Sequence, residues 1–493
     1  MKTFLKLSLL LLIFSVNGFA KTATIHFTMK NFKGSISIYD PELRYDLAKK
    51  RFIELSLNTN GLAAYKMEIN KPTYLVLYSL SNINFSWYLF VSPGDDLFLT
   101  ADFSKKSNQL TVTGKGSNNN QPEIFALTNM DTQPFKGDKN PDRVIAALNK
   151  QYLLNKSILS NYIKINKPTA AFITNATFNL KYFVPSQYYA FSHNNLFRSK
   201  EELKLWHRIQ DSLFATVKLS NDEALNTYNY DQLVDNFVMR EVEAGAMLYE
   251  SSPQTFYKQW FRNNTAQGKK IFDGKQTSIL NNMVIDKYFR AKTAEYAYAH
   301  TIKFKVFWAD YPAAVSIFNH FKKEFPTSAY IKGFSPTIAE VVNKQRQKLN
   351  RETIFVKNNG TQLNTLKDLL ALTKGKVALV DMWGTWCTPC RQEIEKNATK
   401  LEAYFKGKNV NFIYIANQDI GREQEWKKAI AYFQIEGMQI LANPKLTKDI
   451  MDKVKSSGYP TYFIIKKDGS YKKTATQIPD IQSLTKEIET ANL

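Results

Sequence analysis

The sequence predicts a multidomain protein with an N-terminal β-sandwich, a central α-helical domain and a C-terminal α/β domain. Three observations carry this. The chain has 493 residues, too many for one ordinary core when a domain takes about 100–200. The hydrophobic period shifts from two to helical near residue 118, and beyond about residue 349 strand-like and helix-like runs alternate. With 44% hydrophobic and 22% charged residues, the composition excludes a disordered or collagen-like chain and a polytopic membrane protein. Two cysteines exclude a disulfide-stapled framework.

Residues 1–20 stand apart from the fold. Lys2 and Lys6 precede an apolar run from Leu7 to Val16 that ends in Gly18-Phe19-Ala20, the pattern of a secretory signal peptide cleaved after Ala20. The run is shorter than the ~20 residues that span a bilayer. No cysteine follows it to carry a lipid anchor, and no later stretch reads as a transmembrane helix.

The formal charge is +22, from 66 Lys+Arg against 44 Asp+Glu. The excess is spread along the chain: residues 351–493 carry 22 basic and 16 acidic side chains, and residues 21–350 carry 42 and 28. Nucleic-acid binders gather charge into a stripe or an arm, so the reading is a solvated lysine-rich surface with weak attraction for acidic partners or anionic membranes.

Residues 21–118 form the first predicted domain. Ile25, Phe27 and Met29 alternate, as do Ile36 and Ile38, and Phe52–Leu57 and Tyr74–Leu80 continue the pattern. Period two means a half-buried sheet. Pro93-Gly94-Asp95-Asp96 gives turn chemistry between Tyr88–Val91 and Leu97–Ala101, and Leu110–Thr113 reads as a last strand. A small antiparallel sandwich is expected. Gly114-Lys115-Gly116-Ser117 lacks the upstream glycine of a phosphate loop, and Asn118–Gln121 reads as a polar linker.

The predicted helical domain covers 119–348. Ile145, Leu148, Tyr152, Leu159 and Tyr162 recur at helical spacing, and Glu201–Phe214 and Leu280–His300 behave likewise. Its many aromatics are read as core. Pro326 should end a helix near Phe325, Lys332-Gly333 and Pro336 punctuate the chain again, and a charged helix should run from Thr337 to about Asn350.

Residues 349–493 form the predicted α/β domain. Val377–Trp383 is a buried strand; a helix starts after Cys387 and reaches about Phe405. Strand Asn411–Ala416, helix Arg422–Gln434, a short helix after Pro444, strand Thr461–Ile465, a hairpin at Lys467-Asp468-Gly469 and a helix from Asp480 complete it.

Both cysteines fall in Trp386-Cys387-Thr388-Pro389-Cys390, at a strand-to-helix junction. Free N–H groups and the helix dipole favour a thiolate there, which lowers the Cys387 pKa below the free value of about 8.5 and makes it the nucleophile. Cys390, one turn on, is placed to resolve a mixed disulfide. Three other readings of the pair stand beside this one. Zinc would need two more ligands, and His26, His193, His207, His300 and His320 all lie outside this domain. A purely structural disulfide would close too small a loop to stabilise much. A Cys-His-Asn hydrolase would lack a histidine within the domain.

The stretch Leu379-Val380-Asp381-Met382-Trp383-Gly384-Thr385-Trp386-Cys387-Thr388-Pro389-Cys390-Arg391, with Gly458-Tyr459-Pro460-Thr461 farther on, resembles the thioredoxin superfamily, and within it the TlpA/ResA-like thiol-disulfide oxidoreductases, from about Ile354 to Leu493. The resemblance implies a thioredoxin-like fold and a redox-active Cys387/Cys390 pair with no other cofactor and no metal. It implies a cis proline at Pro460, substrate contacts at Trp386 and Pro460, and a Tyr459 backbone that pairs with the substrate chain. Asp381 sits where thioredoxin has its buried acid, which would take the Cys390 proton during resolution. Met382 and Gly384 depart from the commonest residues, and Tyr459 is bulkier than usual. A second, weaker resemblance runs through Pro93–Asp96, Leu110–Gly116 and Asn118–Asn120 to the β domain that precedes TlpA-like modules in Bacteroidetes-type exported proteins.

These readings lead to an exported, periplasmic or cell-envelope disulfide reductase acting on protein substrates such as apocytochromes. It would be recharged by a membrane electron donor of the DsbD/CcdA type. Reduction is favoured because Thr388-Pro389 resembles the reductive members rather than oxidants with a histidine between the sulfurs. The alternatives are an envelope binding or scaffold protein with incidental redox activity, and a disulfide oxidase or isomerase.

Overall fold

The computed structural model describes residues 21–492 apart from 42–44, 49–51, 81–83, 105–108, 126, 128–129, 131–132, 136, 194–199, 262–264, 273–275, 374 and 476–479. The expected signal peptide lies outside the described residues. Packing divides the chain into two compact units. One runs to Thr301 and takes in Glu324–Tyr330; the other comprises Ile302–Lys323 and Ile331–Leu493.

The first unit opens with strands β1 (Lys21–Lys30), β2 (Ser35–Tyr39), β3 (Phe52–Ser56), β4 (Leu62–Ile69), β5 (Thr73–Leu80), β6 (Asn84–Val91), β7 (Asp96–Asp102) and β8 (Gln109–Lys115). They form two four-stranded sheets, ordered β4-β1-β7-β8 and β3-β2-β5-β6. The alternation in β1 buries Ala23, Ile25, Phe27 and Met29, which meet Ile36, Ile38, Leu75 and Leu77 of the other sheet in one core. The expected sandwich is therefore present, but it is not wholly antiparallel: β1 pairs with β7 in parallel, Ile25 opposite Leu97.

The expected linker at Asn118–Gln121 is instead built into the structure. Asn120 is buried, accepts from the Phe90 N–H at 2.7 Å and donates to the Phe90 and Gly116 carbonyls. Asn119 accepts from the Thr169 N–H at 2.9 Å. Amide side chains supply both donor and acceptor in such positions, so a polar run that reads as solvated closes the sheet end.

Helices follow, among them Pro141–Asn166, Ala170–Lys181, Lys200–Ala215 and Tyr228–Ser251. Tyr182, Tyr188, Trp206 and Tyr230 are buried, so the aromatic stripe is core. The run expected from Leu280 to His300 is two helices, Gln276–Tyr288 and Ala291–Phe307. Arg290 donates to the Asp286 and Phe289 carbonyls at the end of the first. Asp222 accepts from the Thr293 N–H at 2.9 Å at the start of the second, which offsets the interruption.

The second unit holds a six-stranded sheet ordered β14-β13-β10-β11-β12-β9, from β9 (Thr353–Phe355), β10 (Val377–Trp383), β11 (Val410–Ala416), β12 (Gly437–Leu441), β13 (Thr461–Ile465) and β14 (Tyr471–Lys473). β9, β12, β11 and β10 run parallel; β13 pairs antiparallel with β10, and β14 antiparallel with β13. Every residue of β10 is buried, as a central strand covered on both faces requires. Val377, Leu379 and Trp383 face one core, Ala378, Val380 and Met382 the other. The helix after Cys387 is continuous to Phe405 but passes through a π-helical turn at Ile394–Ala398.

Pro326 follows a helix that ends at Glu324, as expected, but Lys332-Gly333 and Pro336 do not break the chain. They lie inside the helix Ala329–Gln345, which starts eight residues before the expected Thr337. Tyr330, Phe334, Ile338 and Val341 are buried, and this apolar face outweighs the backbone bond that proline forfeits.

In this unit Tyr311 of the helix Tyr311–Glu324 stacks on Tyr432 at 5.1 Å. Glu395 accepts hydrogen bonds from the Tyr311 hydroxyl, from Lys344 at 2.9 Å and from Tyr432 at 3.4 Å. One carboxylate thus joins two helices that precede the sheet to the helix that carries the cysteines. Glu395→Ala leaves these donors short of an acceptor and is expected to destabilise the unit by about 1–3 kcal/mol in urea unfolding; a loss below about 0.5 kcal/mol would show that ring packing alone holds the helices.

Candidate active site

Cys387 is the N-cap of the helix Thr388–Glu393, with Pro389 in the first turn. Proline suits that turn, where an N–H would be unsatisfied in any case. The Cys387 sulfur accepts from the Cys390 N–H at 3.3 Å, and the Arg391 N–H reaches the Cys387 carbonyl at 3.1 Å. The two sulfurs are joined in a disulfide. Cys387 is 4% exposed and Cys390 0%, so of the two the first is open to attack a substrate.

The segment ahead of Cys387 is fixed by the loop after β11. Asp419, fully buried, accepts from the Thr385 N–H at 2.8 Å and from the Thr385 hydroxyl. The Trp386 indole N–H donates to the Asn417 carbonyl at 2.9 Å, crossing Gly384 so closely that a Cβ there would sit 2.5 Å from the indole nitrogen. Glycine at 384 is what lets Trp386 lie down, which accounts for one departure from the commonest pattern. Trp386 remains 41% exposed and meets Tyr459 edge-on at 5.4 Å. The Tyr459–Pro460 peptide is cis. Tyr459 enters no backbone–backbone hydrogen bond among the described residues, although β13, starting two residues later, is paired along its length.

Asp381 lies on β10 with the parity of Leu379 and Trp383, and therefore faces the cysteine-bearing helix. It pairs in register with Tyr414 on β11 and Tyr462 on β13. Burial pushes its pKa up to about 8; the negative charge of Glu393 adds to this and a hydrogen bond from Tyr462 opposes it. Its Oδ1 has no protein partner among the described residues. A cavity of about 20 Å³ lined by Asp381, Glu393, Asn397, Tyr414 and Tyr462 adjoins it, large enough for one water molecule. Glu393, held by Asn397 at 2.8 Å, was not singled out by the motif. Its signal was its spacing, three residues after Cys390 and hence on the same helix face.

The structure thus brings Cys387, Cys390, Trp386, Tyr459 and Pro460 to one end of the sheet, with Asp381 beneath the cysteine-bearing helix. Residues 375–471 match a family model described as thioredoxin-like. The C-terminal α/β core is a thioredoxin-like domain. Over 140 residues the chain is 29% identical to the thiol-disulfide oxidoreductase ResA of Bacillus subtilis, covering 27% of this chain and 72% of that protein. Among solved structures it is similar to the thioredoxin domain of a thiol-disulfide oxidoreductase from Bacteroides vulgatus, with 25% identity, 24% of this chain and 82% of that one covered, and a TM-score of 0.22. A putative thiol-disulfide oxidoreductase from the same organism shows 28% identity, coverage of 25% and 76%, and a TM-score of 0.20. Each of these similarities covers about a quarter of this chain.

The raised Asp381 pKa has a sign that can be tested. The unfolded chain releases this proton near its ordinary value of 3.8, the oxidised native domain near about 8. The native state therefore binds more protons over that interval, and stability falls as pH rises through it, at up to about 1.4 kcal/mol per pH unit. Asp381→Asn is expected to be more stable than the parent by a few kcal/mol at pH 8, with the difference closing toward pH 4. Urea titrations at the two pH values measure it; equal gains at both would mean that Asp381 does not hold a proton.

Proposed function

We propose that this protein is an exported thiol-disulfide oxidoreductase that reduces disulfides in cell-envelope proteins such as apocytochromes. The observation that carries the reading is the Cys387–Cys390 pair at a helix N-terminus above a buried carboxyl group that holds its proton to about pH 8. In the reduced protein the Cys390 N–H and the helix dipole favour the Cys387 thiolate. That thiolate attacks one sulfur of a substrate disulfide, forms a mixed disulfide and expels the other sulfur as a thiolate, which takes up a proton. Asp381 first gives up its own proton, with Glu393 and the adjoining cavity as the route outward; its carboxylate then takes the Cys390 proton, and the Cys390 thiolate attacks the Cys387 sulfur. The second substrate thiol leaves and the internal disulfide remains. Two electrons have passed to the substrate, so a dithiol donor must return them, and a membrane protein of the DsbD/CcdA type fits an exported reductase.

Trp386, Tyr459 and Pro460 supply the docking side. The unpaired main chain of Tyr459 can bond to an extended substrate strand, as edge pairing does elsewhere. Thr388-Pro389 between the sulfurs supports reduction over oxidation, and residues 1–20 support export. Among the described residues no helix is long and apolar enough to cross a membrane.

The division of labour between the sulfurs gives the test. Reduced Cys390→Ala, incubated with a protein disulfide, is expected to accumulate a covalent adduct that runs as a higher-mass band and disappears with dithiothreitol. Cys387→Ser should give none. Adducts trapped through Cys390 instead, or by neither variant, would contradict the assignment.

A further inference from the structure

Among the described residues most phenylalanines and tryptophans are buried or half-buried. Among the described residues the exposed ones are Phe98, Phe307, Trp308 and Trp386, the last three at 59%, 44% and 41%. Trp386 adjoins Cys387. Phe307 and Trp308 lie some eighty residues earlier, yet their backbone is fastened to the cysteine-bearing helix. The Trp308 carbonyl accepts from the Thr388 hydroxyl at 3.2 Å and from Arg391 at 3.1 Å. The Ala309 carbonyl accepts from Arg391 at 3.0 Å, and the Phe307 carbonyl from the Gln392 side chain at 2.6 Å. The two rings meet edge to face at 5.4 Å. All these residues belong to one compact unit.

A turn so firmly tied by its carbonyls has no need of exposed Phe and Trp side chains for its own stability. Large apolar groups left in water around a reactive site mark a binding surface, and aromatics contribute most where partners dock. Ile420, 50% exposed, follows the Asp419 that anchors Thr385. Three rings about half exposed offer roughly 300 Å², well short of the ~800 Å² that each partner contributes to a stable protein interface. That argues against a second copy of this chain and for a short extended segment, continuous with the strand position open at Tyr459.

We propose that Phe307 and Trp308 are specificity-determining residues, forming with Trp386 an aromatic platform that selects unfolded polypeptide whose disulfide is flanked by apolar residues. The platform rests on the oxidoreductase reading and deepens it. It couples choice of substrate to the turn before the helix Tyr311–Glu324, outside the thioredoxin-like match. Positions 388, 391 and 392, next to the sulfurs, serve as its mount.

The test uses the full-length reduced protein and two disulfides: a peptide disulfide flanked by Phe and Leu, and the same peptide flanked by Ser and Gly. The ratio of their kcat/KM values is the readout. Phe307→Ser/Trp308→Ser is expected to lower that ratio about tenfold, mainly through KM for the apolar peptide, and Phe307→Tyr/Trp308→Phe to restore it. An unchanged ratio, including an equal loss on both peptides, overturns the platform. So does a dimer of the parent that the Ser variant dissolves in sedimentation, because the occupant would then be a second copy. If the parent turns over neither peptide, it is the oxidoreductase reading that fails.

Discussion

The arrangement of the C-terminal unit depends on β10 being buried along its whole length. A central strand sealed on both faces has apolar side chains everywhere except at Asp381, and that one carboxyl group faces the helix bearing the sulfurs. Desolvation keeps it protonated near neutrality. The same strand delivers the chain to Gly384–Trp386 and then to the helix N-cap, so a single element sets both the reactive sulfur and the group beneath it. A polar residue elsewhere on this strand would cost stability with nothing to offset it, whereas at 381 the cost places a titratable carboxyl group beneath the helix that bears the sulfurs.

Around that strand the positioning is done by loops acting on backbone groups. Asn417 donates to the Trp383 and Ile415 carbonyls at 3.0 and 2.8 Å, and Asp419 holds Thr385. The Phe307–Ala309 turn offers three carbonyls to Thr388, Arg391 and Gln392 of the cysteine-bearing helix. Arg391, directly after Cys390, thereby donates to neutral carbonyls, while the nearby Asp310 charge favours its charged form and burial opposes it. Arg422 lies 3.8 Å from the same Asp419 carboxylate and balances its buried charge.

The motif made the placement of the site legible: two cysteines at a strand-to-helix junction, an acid six residues before them and a distant proline. Strand Thr461–Ile465 matches its apolar run residue for residue. What stayed hidden has physical causes. β4 mixes Ala63 and Ala64 with Lys66 and Glu68, so its alternation is weak on any hydrophobic scale. β12 begins at Gly437 with φ of +77° and buries Gln439, a polar residue in a central position. Pro336 and Asn118–Asn120 carry local signals that tertiary packing outweighs. The carbonyl contacts of Phe307–Ala309 are invisible because main-chain acceptors leave no trace in side-chain identity.

On the proposed reading the Cys387/Cys390 pair is a working redox couple poised to donate electrons. The equilibrium potential of the full-length protein against a glutathione series tests it most directly. A value between about −300 and −230 mV, at the reducing end of the dithiol range, is expected. A value near about −150 mV would contradict the direction, and a pair that no glutathione ratio reduces would contradict the chemistry.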